Sequence, residues 1–142
     1  MKLQTIRLSN FQSYGAVPTG VRLEEITYLI GPNGSGKTAA LQALCRLFAF
    51  DPSLRRILRS DFHVPFNEAA APAERQLWIE ADFLFPELGD VDDNSTVAPH
   101  FGHMRLDKID GTPRVRFRLT ATMGLDGDIE ESMVYVLDIN AD

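Results

Sequence analysis

The chain has 142 residues, of which 44% are hydrophobic, with a net charge of −6 and a pI near 5.0. That is the size of one ordinary domain, apolar enough to bury a core and to exclude a disordered segment. The acidic balance speaks against a free-standing nucleic-acid binder, which would carry a basic patch or stripe.

A single cysteine, Cys45, excludes an internal disulfide framework and fits a reducing, cytoplasmic setting. Its place among apolar neighbours on a helix predicts a buried structural thiol. No apolar run reaches the ~18 residues that a membrane-spanning helix needs. The first seven residues, Met1 to Arg7, interrupt their hydrophobicity too often for a secretory signal. The acceptor pattern Asn94-Ser95-Thr96 is therefore read as a chance match.

In chain order, residues 3–8 read as a first strand, with Leu3, Ile6 and Leu8 apolar among polar residues. Residues 10–15 form a turn, and residues 17–23 a second strand interrupted by Pro18-Thr19-Gly20. Ile26-Thr27-Tyr28-Leu29-Ile30 is a short β-rich apolar run, predicted to be a buried strand leading into Gly31. From there the period changes from two to 3.6. Ala40, Leu41, Leu44, Cys45, Leu47 and Phe48 predict a helix over residues 36–48, which Asp51-Pro52 ends. A short helix follows from Pro52 through Leu58, and residues 60–75 read as a loop with some helical character. Arg46, Arg55, Arg56 and Arg59 cluster here and read as a solvated face.

The rest reads as antiparallel β structure. Leu77, Ile79, Ala81, Phe83 and Phe85 share one face of a strand, with Trp78 on the other, partly exposed. A polar loop over 86–99 precedes strands over 101–108, 114–123 and 131–137, with hairpin signals at Asp110-Gly111 and Asp126-Gly127.

Gly31-Pro32-Asn33-Gly34-Ser35-Gly36-Lys37-Thr38 satisfies G-x-x-x-x-G-K-[ST] at every fixed position. Glycines let the backbone approach a bulky anion, and successive N–H groups then form a nest for phosphate oxygens. The helix starting near Gly36 adds its positive dipole end. Lys37 reaches the β- and γ-phosphates, and Thr38 offers a hydroxyl to Mg²⁺. A chance match in a chain this long has odds of roughly one in two hundred. The predicted nucleotide-binding residues are Gly31, Asn33, Gly34, Ser35, Gly36, Lys37 and Thr38. The predicted ligands are ATP and Mg²⁺, with Thr38 on the metal.

Leu8-Ser9-Asn10-Phe11-Gln12-Ser13-Tyr14 resembles the "NFRSF"-like opening of the SMC, RecF and OLD-type ATPases, which are ABC-class ATPases. Residues 31–38 fit the narrower P-loop of that group, GxNGSGK[ST]. The order of elements, with Ser60-Asp61-Phe62-His63 and the strand near 77–85, looks most like OLD-family ATP-dependent endonucleases. About the first 50 residues carry a specific match, and the rest match in element order. The resemblance implies a P-loop NTPase N-lobe of α/β (α+β) class, with a strand–P-loop–helix core over 1–50 and an antiparallel β subdomain over 75–138. All of 1–142 then reads as the N-terminal part of an ATPase head. The resemblance also implies a signature motif, Walker B and a switch histidine in a C-terminal segment, two heads sandwiching two ATP molecules, and a Toprim nuclease in OLD proteins. Action on DNA, in repair, recombination or phage defence, would belong to the parent protein.

Gln12 stands where the group often has a basic residue, which weakens a contact from that side chain to the phosphates. No LSGGQ-like signature and no acidic Toprim cluster is present in the sequence. Val134-Tyr135-Val136-Leu137-Asp138 resembles a Walker B run, but Ile139 follows where a catalytic Glu would stand, so an ordinary strand is favoured. Asp90, Asp92, Asp93 and Asn94 fail the EF-hand pattern, and His63, His100 and His103 lack the spacing of a zinc site.

Three readings of the motif follow. In the first, the chain is an ATPase N-lobe completed by a C-terminal segment or a second protomer, with no complete catalytic set of its own. The second is a small P-loop kinase, and the third a module that binds nucleotide without hydrolysing it.

Overall fold

The computed structural model describes residues 1–68, 74–86, 104, 106–107 and 113–137. β1 (Lys2–Ser9) and β2 (Thr19–Arg22) precede α1 (Lys37–Phe48), a short α2 (Pro52–Arg55) and a 3₁₀ turn, Arg59–Asp61. β3 (Arg75–Leu84), β4 (Leu106–Asp107), β5 (Pro113–Met123) and β6 (Ile129–Tyr135) complete the chain. The six strands form one sheet in the order β2-β1-β3-β5-β4, and β6 also pairs with β5. Every pairing is antiparallel. A small P-loop kinase would continue after α1 with parallel strands, and the pairings of β3 to β6 do not.

Period-two alternation explains which face each strand buries. Leu8 lies beside Ile79 and Ile79 beside Leu119, while Ile6 lies beside Ala81 and Ala81 beside Phe117. These side chains share the face covered by α1, where Ala39, Ala40, Ala43 and Leu47 close the core together with Phe11, Ile57 and Phe62. Small residues on the helix let it lie close to the sheet. Phe83 joins Phe48 and Phe117 through edge-to-face contacts at 5.4 and 6.2 Å.

The opposite face carries charge. Arg116 binds Asp82 through two bonds of 2.6 and 3.0 Å, and Glu80 binds Arg7 at 2.7 Å and Arg118 at 2.6 Å. Glu80, Asp82, Arg114 and Arg116 are all buried. Cross-strand register makes this ladder, since Glu80 faces Arg7 on one side and Arg118 on the other. Arg118 also lies 4.9 Å over the ring of Trp78, which is half-buried as its place on this face predicts.

Several expectations are corrected. Residues 26–30 form no strand, and Ile26, Tyr28 and Ile30 are 73%, 79% and 92% exposed. An apolar run becomes a buried strand only when a neighbour satisfies its backbone groups, and no described residue does. Cys45 is exposed and Arg46 buried, the reverse of their hydrophobicity. The phase of α1 turns Arg46 inward, where Asp61 neutralises it, and leaves Leu41 and Cys45 on the outer side. The second strand starts only after Pro18, which lacks the N–H a ladder needs. The helix begun at Pro52 stops at Arg55 and is followed by the 3₁₀ turn.

The hairpin at Asp126-Gly127 joins β5 to β6, making residues 129–135 an ordinary antiparallel strand. Asp110-Gly111, Asn94-Ser95-Thr96, the acidic run near Asp90, His100, His103 and Asp138 lie outside the described residues, as does most of the strand expected over 101–108.

Candidate nucleotide-binding site

α1 opens directly from the glycine-rich loop. Its N-cap residue, Gly36, has φ of +90° and no side chain to cap the helix. The first-turn amides of a helix have no intrahelical acceptor, so this end is left open to an anion. No acidic side chain occupies the first turn, and the basic Arg46 stands in the last. Both choices suit a site for negative charge at the N-terminus.

Gly36 is needed on two counts. Its left-handed backbone is one that L side chains rarely adopt, and a Cβ there would lie 3.1 Å from the Tyr14 ring. The Tyr14 hydroxyl donates to the Gly36 carbonyl at 3.2 Å, which fastens the residues before the loop to the start of the helix.

The Lys37 ammonium is folded back on its own loop. It donates to the carbonyls of Gly31 and Pro32, the latter at 2.8 Å, with Ser35 Oγ at 3.5 Å. The charge is thereby held at the rim of a cavity of about 210 Å³ lined by Asn33, Gly34, Gly36, Lys37, Thr38 and Ala39 with Gln12 and Ser13. Five of the seven predicted residues thus meet at one cavity. Gly31 and Ser35 stand behind it as partners of Lys37.

Gln12 and Ser13 enter the cavity wall from the turn after β1. That turn contains two non-glycine residues with positive φ, Asn10 at 53° and Gln12 at 50°. Such conformations cost on the order of 1 kcal/mol and persist where surrounding contacts over-determine them. Here the clamp is the 59–63 segment: Gln12 N–H donates to Asp61 O at 2.7 Å, and His63 N–H to Asn10 O at 2.9 Å. Asp61 is fully buried, and its carboxylate accepts from Arg46 Nε at 2.7 Å, Leu58 N–H at 2.9 Å and Gln12 Nε2 at 2.9 Å. Sequence reasoning placed Gln12 by motif resemblance, but nothing in local composition shows that Asp61, 49 residues away, holds it.

The donor set fits Mg²⁺ held mainly through a nucleotide. No group of three or more His, Cys, Asp or Glu side chains among the described residues could cage a metal. The loop offers instead the Thr38 hydroxyl, and Mg²⁺ commonly takes one or two protein oxygens together with phosphates and water.

A strand-rich lobe with a glycine loop opening a helix and a lysine at its start is the fold of a P-loop NTPase. The AAA ATPase domain family matches residues 1–108, and the chain belongs to that family. Over 59 residues it is 42% identical to the chromosome partition protein Smc of Synechococcus sp.. That stretch is 42% of this chain and only 5% of that protein. A solved structure from work on ATP-driven dimerization and DNA-stimulated activation of SMC ATPases superposes with a TM-score of 0.55 at 19% identity. It covers 94% of this chain and 69% of that one, a likeness of fold. Both of these similarities are to SMC proteins.

Proposed function

We propose that this chain binds Mg²⁺-ATP on residues 31–38 and serves as the N-terminal lobe of an SMC/RecF-like ATPase head. The observation that carries the reading is the Lys37 cavity at an uncapped helix N-terminus. With nucleotide bound, the Lys37 ammonium would turn from the carbonyls of Gly31 and Pro32 to phosphate oxygens, exchanging neutral acceptors for charged ones. The nest formed by Asn33, Gly34, Ser35 and Gly36 supplies backbone N–H groups, and Thr38 a metal ligand. Mg²⁺ supplies charge neutralisation of the β- and γ-phosphate oxygens.

Hydrolysis needs residues from a further segment or a second protomer. Supporting this, Ile26, Tyr28 and Ile30, which lead into the loop, and Leu41 and Cys45 on α1 are exposed. Surface of this kind marks an interface. We further propose residues 1–50 as the nucleotide-binding part and 75–138 as the β subdomain. DNA-directed work, in repair, recombination or OLD-type phage defence, belongs in this proposal to the parent protein.

Turnover separates the readings. The 142-residue chain should bind a fluorescent ATP analogue that free ATP displaces, with hydrolysis near background. Turnover well above background that Lys37→Ala abolishes would show that the chain needs no completing segment.

A further inference from the structure

Every hydrogen-bonding group of Gln12 except one is engaged. Its N–H donates to the Asp61 carbonyl at 2.7 Å, and its carbonyl accepts from His63 Nδ1 at 2.7 Å. Side-chain Nε2 lies 2.9 Å from Asp61 Oδ1 and also meets Gln42 Oε1. A carboxylate oxygen only accepts, so the atom facing Asp61 is the amide nitrogen and the orientation of the side chain is fixed. Both Nε2 hydrogens are committed. Oε1 has no hydrogen-bond partner among the described residues, and Gln12 lines the same cavity as Lys37 and Thr38.

What this residue offers a ligand is therefore an acceptor. Phosphate oxygens are acceptors too, so Oε1 does not bind them; its partner must be a donor. Gln42 lies one helical turn beyond Thr38, on the same side of α1, which puts the Gln12 amide on the Thr38 side of the cavity. The donors expected beside Thr38 are waters on Mg²⁺, a cation that dehydrates reluctantly and usually keeps several of them. The ribose and base donors of ATP lie at the far end of the nucleotide from its terminal phosphates.

We propose that Gln12 is a further residue of the Mg²⁺-nucleotide site, its Oε1 accepting a hydrogen bond from a Mg²⁺-bound water. Asp61 and Gln42 are positioning residues that fix the amide so that oxygen, and not nitrogen, is presented. The left-handed backbone at Gln12 is held for the same purpose. This inference rests on the proposed binding of Mg²⁺-ATP to the loop.

The test is ATP affinity of the 142-residue chain measured in Mg²⁺ and again in EDTA. One neutral-to-charged-water hydrogen bond corresponds to about a 3- to 10-fold loss for Gln12→Ala in Mg²⁺, with less than about a twofold change in EDTA. Gln42→Leu, which removes one of the two acceptors holding Nε2, should move affinity in the same direction by less. It carries the same comparison if Gln12→Ala fails to give a cooperative thermal melt. Equal losses in Mg²⁺ and EDTA, or no loss in either, would overturn the inference. A wild-type chain that binds no ATP, or a Lys37→Ala chain that binds like wild type, would overturn the underlying reading instead.

Discussion

β3 and the run at residues 26–30 are equally strand-like in sequence, yet they meet opposite fates. β3 lies between β1 and β5, with Leu77, Ile79 and Ala81 fully buried. Residues 26–30 pair with nothing described, and Ile30 is 92% exposed. The difference is not propensity but neighbours: a strand is stable only when another backbone takes its hydrogen bonds and another surface covers its side chains. β3 has both, because β1 and β5 take its hydrogen bonds and α1 covers its apolar face, and the ionic ladder ties β1, β3 and β5 together on the reverse face.

The largest effect that would break this contrast lies in that ladder. Asp82→Ala leaves Arg116 buried beside a missing partner and should destabilise the chain by about 3–5 kcal/mol, read from the urea midpoint. Next comes the direct comparison. Ile79→Ala should cost about 2–5 kcal/mol, whereas Ile30→Ala should stay within about 0.5 kcal/mol. Similar costs at the two positions would mean that residues 26–30 are already paired and buried.

Smaller again is Gly36→Ala, which places a Cβ on a left-handed residue 3.1 Å from Tyr14. It should cost about 1–3 kcal/mol and weaken nucleotide binding more than it weakens the fold. The smallest effect is at Asp51, the exposed N-cap of α2. The Ser53 backbone N–H, donating at 2.8 Å, lowers its carboxyl below the ordinary value. A depressed carboxyl contributes above its unfolded-state value and loses that contribution as pH falls through the folded one. The melting-temperature gap between wild type and Asp51→Ala should therefore be present at neutral pH and close on acidification.

Much of the fold was legible because it depends on short-range pattern. Alternation marked β3, apolar residues spaced among polar ones marked β1, turn signals such as Asp126-Gly127 marked off β5 and β6, and the glycine-lysine spacing marked the loop and the start of α1. What was not legible depends on distant partners. Cys45 outside and Arg46 inside follow from Asp61, whose position on the 3₁₀ turn no helical periodicity encodes. Glu80 reads as a solvent-facing charge until register brings Arg7 and Arg118 to it. Among the candidate site residues, the glycine-lysine loop shows in the spacing, whereas the proposal for Gln12 needs its hydrogen bonds. A left-handed glutamine has no compositional cue, since Gln is not a residue that favours that conformation.

Calorimetric titration of Mg²⁺-ATP into wild type and Lys37→Ala tests the loop as a phosphate cradle most directly. Removing an ammonium that makes charge-assisted bonds to phosphate should weaken binding by about 10- to 100-fold, with the thermal melt of the nucleotide-free chain little changed. Equal affinity in the two proteins would contradict the central claim.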